Sequence, residues 1–419
     1  MRRRGIVPGL LFLAALALFA PRLTTPDEYI FDEVYHAYTA GQYVAGNADA
    51  YVWSTMAPRE GVAYTWNHPP AGLLGIASGI LIWGDNALGW RFTSVLFGAA
   101  GIVLTYWLTL RLAGERGPAL LAAGLLLVDG MYFEQSRVAM LDVFGVVFAL
   151  AALLSLHDYL ERPAGTAAWP IARTGLLLGL ALATKWNAAY LALACGLVVL
   201  AREARLGRRG NLASIPLGLA LVPLAVYVAA YVPFFASGHG IAEWIELQKQ
   251  IYYYHTRLEA THPWSSSFWQ WPLAVKPVWY WVSHLDDGRV ANIYAAGNPV
   301  LYWGFLPAVL ALAVRWWRSK PAALAVLLIG FFGQWLPWAL VPRITFAYHF
   351  LPAVPFGAIA LAVVLWPPVR RGGVGRVLAL GYVSLVVLCF VWIYPILTGI
   401  PLSEAGLGWR LLMPSWRPV

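Results

Sequence analysis

Apolar residues run in long blocks along this chain, each bounded by a short polar stretch. The blocks occupy residues 6–23, 88–110, 117–133, 140–160, 212–235, 299–315, 321–340, 348–366 and 376–397. A helix needs roughly 20 apolar residues to cross the hydrocarbon core of a bilayer, so each block predicts a transmembrane helix. Residues 171–201 hold two shorter apolar halves around TKWNAAY, which predicts a hairpin of two short or broken helices. The sum is an all-α polytopic membrane protein with about eleven crossings. No internal repeat, soluble domain or Ser/Pro-rich linker interrupts the pattern, which predicts a single domain over residues 1–419.

Composition agrees. The chain is 60% hydrophobic and 12% charged, with a mean hydropathy of +0.64, whereas soluble domains carry about a quarter charged residues. The net charge of +9 comes from basic residues scattered between the apolar blocks, so the chain has no nucleic-acid-binding patch. Instead RRR (2–4), RLAGER (111–116), Arg162 with Arg173, REARLGRR (202–209), RWWRSK (315–320) and RRGGVGR (370–376) fall at alternate ends of successive blocks. The positive-inside rule puts these clusters and the N-terminus in the cytoplasm. The outside then receives loop 1 (about 24–87), 132–140, the 185–187 corner, the long loop at about 236–298, 341–347 and the tail after 398.

The opening MRRRGIVPGLLFLAALALFAPRL has the basic start and apolar core of a signal peptide. It lacks a clear small-x-small cleavage site, which predicts a retained first helix. Cys195 and Cys389 lie inside apolar blocks and suggest neither a disulfide framework nor a metal knuckle. The 22 Trp and 21 Tyr suit membrane interfaces. An Ala-, Leu- and Arg-rich, Lys-poor composition points to a bacterium of high genomic GC content, and so to a plasma membrane.

The candidate chemistry gathers on the predicted outer face. YIFDEVYHAYTAG (29–41) sets Asp32 and Glu33 side by side, with His36 following; Asn67 and His68 come next, then Glu134, Arg137 and Asp142, then Lys185, and finally Arg343 and His349. Charges at membrane depth are expensive and usually line a cavity or pair with one another. A carboxylate can serve as general base toward a hydroxyl. Arg and Lys can hold a phosphate and stabilise it as it leaves. Together they suit a membrane-anchored sugar phosphate donor. Nucleotide sugars are cytosolic, and neither a P-loop nor a Rossmann glycine pattern is present. Glu33 and His36 form an E-x-x-H spacing that also occurs in carboxylate–histidine metal sites. Because a phosphate clamped by cations is already a capable leaving group, no cofactor is expected; a divalent metal is the lesser alternative.

The motifs FDEVYH (31–36), NHPPAGLL (67–74), ALGWRFTSVLFG (87–98), SRVAMLDVF (136–144), GLALATKWNAAY (179–190), HPWSSSFWQWPL (262–273), GNPVLYWG (297–304) and PRITFAYHFLPAVPF (342–356) resemble, in order, those of the protein O-mannosyltransferase family. That family belongs to the GT-C superfamily of polyprenyl- and dolichyl-phosphate-sugar glycosyltransferases. The resemblance is to a bacterial membrane core, since the 236–298 loop is too short for the luminal domain of the eukaryotic enzymes. It implies Asp32 as general base with Glu33 supporting or positioning it. It implies Arg137, Lys185, Arg343 and His349 as contacts of the carrier phosphate. His68, with Asn67 and His36, would line the substrate site from loop 1, followed by a juxtamembrane helix. Asp142 would orient Arg137 or form a structural salt bridge. The implied partners are a polyprenyl-phosphate sugar, most simply mannose, and Ser/Thr hydroxyls of proteins. The alternatives are a lipid or cell-envelope glycan acceptor, as in the aminoarabinose transferases, or a transporter of lipid-linked sugars, although no transporter-like repeat is visible.

Overall fold

The computed structural model describes residues 5–162, 169–206 and 214–417. The basic residues 2–4 and 208–209, used above for orientation, lie outside the described residues, as do 212 and 213 at the start of one apolar block. The first half of the chain builds α1 (Ile6–Phe19), α2 (Glu33–Val44), α3 (Ala71–Trp83), α4 (Ala87–Ala113), α5 (Arg116–Leu127), α6 (Gly130–Gln135) and α7 (Asp142–Leu160). There follow α8 (Trp169–Thr184), α9 (Ala188–Arg205), α10 (Val222–Ala229), α11 (Ile241–Arg257), α12 (Pro299–Ser319), α13 (Ala322–Trp335), α14 (Val354–Arg371) and α15 (Gly373–Leu397). Among the described residues, six helical stretches are long and apolar enough to cross a membrane: α4, α7, α12, and the stretches Ala322–Leu340, Ala347–Arg371 and Gly373–Leu397. The other apolar blocks are helical but shorter; α1, for example, has 14 residues. The molecule is a multi-pass helical membrane protein. The expected hairpin is present as α8 and α9, with its corner at Lys185–Asn187.

Loop 1 is not a free loop. Its α3 lies hard against α4 where two glycines meet. A Cβ on Gly79 would stand 2.4 Å from the Gly89 carbonyl oxygen, so only glycine permits the approach. Loop 1 is thereby pressed onto the bundle, and α2 packs on α3 in turn.

Two features depart from the hydropathy reading. The block 117–133 is not one helix: Asp129 caps a new short helix, α6, accepting the Tyr132 N–H at 2.8 Å. It also accepts the Asn298 N–H at 3.1 Å, tying α6 to the start of α12. An N-cap aspartate followed by glycine is a helix start signal that overrides the apolar run around it. Nor is the fold purely helical. The long loop carries an antiparallel hairpin of β1 (Val278–His284) and β2 (Val290–Ala295), with Val278 opposite Ala295 and His284 opposite Val290. The turn between the strands contains Asp287–Gly288, with Gly288 at φ +78°. An Asp-Gly turn between alternating and β-branched segments is a hairpin signal in its own right.

Candidate active site

The FDE triplet does three separate jobs. Phe31 sits in the left-handed region at φ +47°, strained for a bulky residue. Its ring is held there by stacking on Tyr280 of β1, with centroids 4.3 Å apart, and by edge contacts to Phe346 and Tyr348. Backbone strain of this kind persists only where the surroundings over-determine it. The kink places Asp32 at the N-cap of α2. Its carbonyl accepts the Tyr35 and His36 N–H groups at 3.0 and 2.8 Å, yet its carboxylate makes no capping bond. The half-buried side chain is left for other partners.

Glu33 is fully spent. One oxygen accepts from Arg91 Nε at 2.8 Å and the Ala139 N–H at 2.9 Å; the other accepts from Arg91 Nη2 at 2.7 Å and the Ile30 N–H at 3.0 Å. A carboxylate offers about four acceptor positions, so none remains for a proton in flight or a metal. Arg91, near the start of α4, is equally saturated. Beyond Glu33 it donates to the carbonyls of Leu23 and Pro26 at 2.9 and 2.8 Å and of Glu28 at 2.8 Å. The pair, with side chains 2% and 0% exposed, is a buried clamp on both sides of the Asp32 turn. The E-x-x-H neighbour of Glu33, His36, turns to Thr65, Nδ1 to Oγ1 at 2.9 Å, so the two do not converge as metal ligands.

Facing Asp32 is a cationic wall. Lys185, at the α8–α9 corner, reaches Asp142 at the start of α7 with contacts of 2.9 and 3.0 Å, and its Nζ lies 5.4 Å from the Tyr348 ring centroid. Lys185, Arg343, His68 and His255 line a cavity of about 600 Å³ whose other walls are largely apolar, among them Leu182, Leu224 and Leu340. Arg343 lies 5.8 Å from the Tyr254 ring, and its Nε has no partner among the described residues. The cavity therefore combines a cationic end with a greasy body, a shape suited to an amphiphile with an anionic head. Burial pushes the Asp32 carboxyl up; Lys185 pulls it down, Asp142 raises it and Arg343 lowers it, for a net value of about 7. Burial and Lys185 press His36 down to about 3, and burial and Arg343 press His255 down to about 4, so both imidazoles are neutral. His68 is driven well below its ordinary value by burial and by Lys185.

The remaining expected residues separate into two groups. Asn67 contributes its backbone carbonyl, which accepts His255 Nε2–H at 3.0 Å. His68 lies between His36 and His255, with ring centroids 6.1 and 5.4 Å away. His349 is buried with Nδ1 against the Phe346 backbone at 3.0 Å and its ring 4.2 Å from Trp338. Arg137 is the clear departure. It does not line the cavity; its guanidinium donates to the Phe19 carbonyl and lies 4.9 Å from the Phe133 ring. The Asp142–Arg137 pairing is replaced by Asp142–Lys185, because α6 turns Arg137 toward α1 while the α8–α9 corner brings Lys185 over α7. Glu134 stays near Arg137, with burial raising its carboxyl to about 8. Arg91, Phe31, Tyr280 and His255 were not singled out from the sequence. Of these Arg91 carried a signal: an arginine in the first turns of an apolar helix is costly unless paired.

Comparison with known proteins follows the same lines. Residues 9–237 match the family model of dolichyl-phosphate-mannose-protein mannosyltransferase, and residues 240–416 match that of the C-terminal four TMM region of protein-O-mannosyltransferase. The chain is 30% identical to the polyprenol-phosphate-mannose–protein mannosyltransferase of Mycobacterium tuberculosis, over 99% of this chain and 92% of that one. Its fold is similar to the S. cerevisiae Pmt1–Pmt2 complex bound to the sugar donor, with a TM-score of 0.80 and 16% identity over 99% of this chain and 93% of the other. ArnT from Cupriavidus metallidurans bound to undecaprenyl phosphate gives a TM-score of 0.61 at 16% identity, over 93% of this chain and 70% of that one.

Proposed function

The chain belongs to the dolichyl-phosphate-mannose-protein mannosyltransferase family, multi-pass glycosyltransferases of the GT-C fold, and from that premise we infer that it moves mannose from a polyprenyl phosphate to serine or threonine hydroxyls of proteins. The observation that carries this reading is the placement of an uncapped Asp32 carboxylate, raised to about 7, beside the Lys185–Arg343 end of the large cavity.

In this reading Asp32 accepts the proton of the acceptor hydroxyl as its oxygen bonds to the anomeric carbon. The bond from that carbon to the phosphate oxygen breaks on the opposite face, and the phosphate leaves with the electron pair. Displacement inverts the centre, so a β-linked donor gives an α-mannoside. A base whose pKa lies near the working pH is effective in general base catalysis, typically worth about 10²–10⁴-fold. Lys185 and Arg343 stabilise the charge that grows on the leaving phosphate. Asp142 holds Lys185 in place, and the neutral His68 and His255 offer hydrogen bonds without adding charge. The apolar walls receive the first units of the polyprenyl chain. No metal is required, since two cations already stand at the leaving group. We place the N-terminus in the cytoplasm and the Asp32 face outside, in a bacterial plasma membrane, with about eleven crossings.

The test is a transfer assay with purified protein, labelled polyprenyl-phosphate-mannose, and either a Ser/Thr-rich peptide or a lipid extract, each with and without EDTA. Label on the peptide, unchanged by EDTA, supports the reading. Label only in the lipid fraction keeps the chemistry and replaces the acceptor. Loss of transfer in EDTA contradicts the metal-free mechanism.

A further inference from the structure

At the end of the bundle opposite Asp32, a second cavity of about 490 Å³ opens between the C-terminal ends of α7, α9 and α12 and the start of α13. The two sites share α7: Asp142 is its first residue and Leu160, which lines the second cavity, its last. At 1.5 Å per residue its length is roughly 28 Å, close to the ~30 Å thickness of a hydrocarbon core. The second cavity therefore meets the other membrane face.

Arg162, Arg202, Arg205 and Lys320 line it, and among the described residues no carboxylate does. Leu160, Val198 and Trp316 give it apolar walls. Arg202 is built in. It donates to Glu203 at 2.6 Å and to the Arg162 carbonyl at 2.7 Å, over the Tyr159 ring at 4.8 Å. Glu203 is buried behind it and also accepts the Tyr159 hydroxyl at 2.7 Å, so this acid is turned into the core. Lys320 is unusual for a different reason. It ends α12 at φ +46°, a left-handed position where glycine or asparagine is the unstrained choice. A lysine occupies that strained position on the rim of the cavity.

A rule that merely biases loop charge needs basic residues on this face; it does not need them to converge on an apolar-walled cavity. We propose that this cavity binds the phosphate headgroup of an anionic phospholipid from the adjoining leaflet, with an acyl chain against its apolar walls. Arginine clamps phosphate bidentately, and basic pockets between membrane helices take acidic headgroups. A free phosphate would leave the apolar walls unused.

Native mass spectrometry of the purified full chain, delipidated and then offered phosphatidylglycerol or phosphatidylcholine of the same acyl chains, tests this. The wild type should retain phosphatidylglycerol about tenfold better, and Arg205→Gln with Lys320→Gln should abolish the preference, at the scale of two removed cations. Lys320→Gly relieves the strained turn while removing one charge, so it should be at least as heat-stable as the wild type yet retain less phosphatidylglycerol. A control on the same face, Arg371→Gln with Arg376→Gln, should retain the preference. The proposal is overturned by equal retention of the two lipids, by an unchanged preference in the cavity variants, or by an equal loss in the control. Competition by glycerol 3-phosphate as effective as that by the lipid would overturn it in favour of a free phosphate site.

Discussion

Replacing Arg91 by lysine keeps the charge and removes the fork. Five acceptors converge on Arg91: the carbonyls of Leu23, Pro26 and Glu28 and both oxygens of Glu33. A lysine has three donors, so at least two buried acceptors lose their partner. Each costs about 1–3 kcal/mol, which puts the loss at about 2–6 kcal/mol. Arg91→Ala goes further and leaves Glu33 as an uncompensated buried anion, a loss of about 3–5 kcal/mol from that group alone. Because all five acceptors belong to the chain immediately before Asp32 or next to it, the damage also moves the base. A displacement of ~1 Å at a reacting group can cost about 100-fold in rate. Thermal unfolding in detergent and single-turnover mannose transfer should therefore fall together in Arg91→Lys, and further in Arg91→Ala. Unchanged transfer in Arg91→Ala, with only the unfolding temperature lowered, would refute the claim that the clamp positions Asp32.

Three further outcomes are expected. With a carboxyl value of about 7 for Asp32, transfer should rise as pH increases through about 7 and level off above it, whereas a base at its ordinary 3.8 would give a flat profile from pH 5 upward. The same shift acts on stability: the contribution of Asp32 is full below 3.8 and is lost as pH rises through about 7, so Asp32→Asn should unfold at a higher temperature than the wild type at pH 8, the two converging in acid. Lys185→Met should cut transfer by about 10²–10³-fold, as removal of a charge-stabilising donor does elsewhere, with Lys185→Arg recovering part of it. Tyr280→Ala removes the stacking partner of Phe31 and should lower kcat with little change in KM, because it loosens the turn that presents Asp32 and not the cavity; an unaltered kcat would show that Phe31 holds its conformation without it.

Helix positions and the polar face were legible because both follow from local sequence: an apolar block must become a helix in lipid, and charges outside such blocks are conspicuous. Asp32, Lys185 and Arg343 could be picked out for that reason. Pairings were not legible. Asp142 is five residues from Arg137, yet its partner is Lys185, because the geometry of α6 and the α8–α9 corner is tertiary. Glu33 and Asp32 are adjacent and chemically similar; only the Arg91 clamp separates a saturated carboxylate from an uncapped one. The left-handed Phe31 depends on a ring 249 positions along the chain, in a hairpin that an all-helical reading passes over. Its Asp-Gly turn was visible, but the surrounding Trp and Tyr also read as interface anchors.

The most direct test of the central claim pairs donor binding with transfer in Asp32→Asn. Asparagine keeps the size of the side chain and removes the base, while Lys185, Arg343 and the cavity stay in place. The account predicts polyprenyl-phosphate-mannose binding within about threefold of the wild type and transfer to peptide reduced by about 10²–10⁴-fold. Transfer within tenfold of the wild type, with binding intact, would contradict the assignment of Asp32 as the general base.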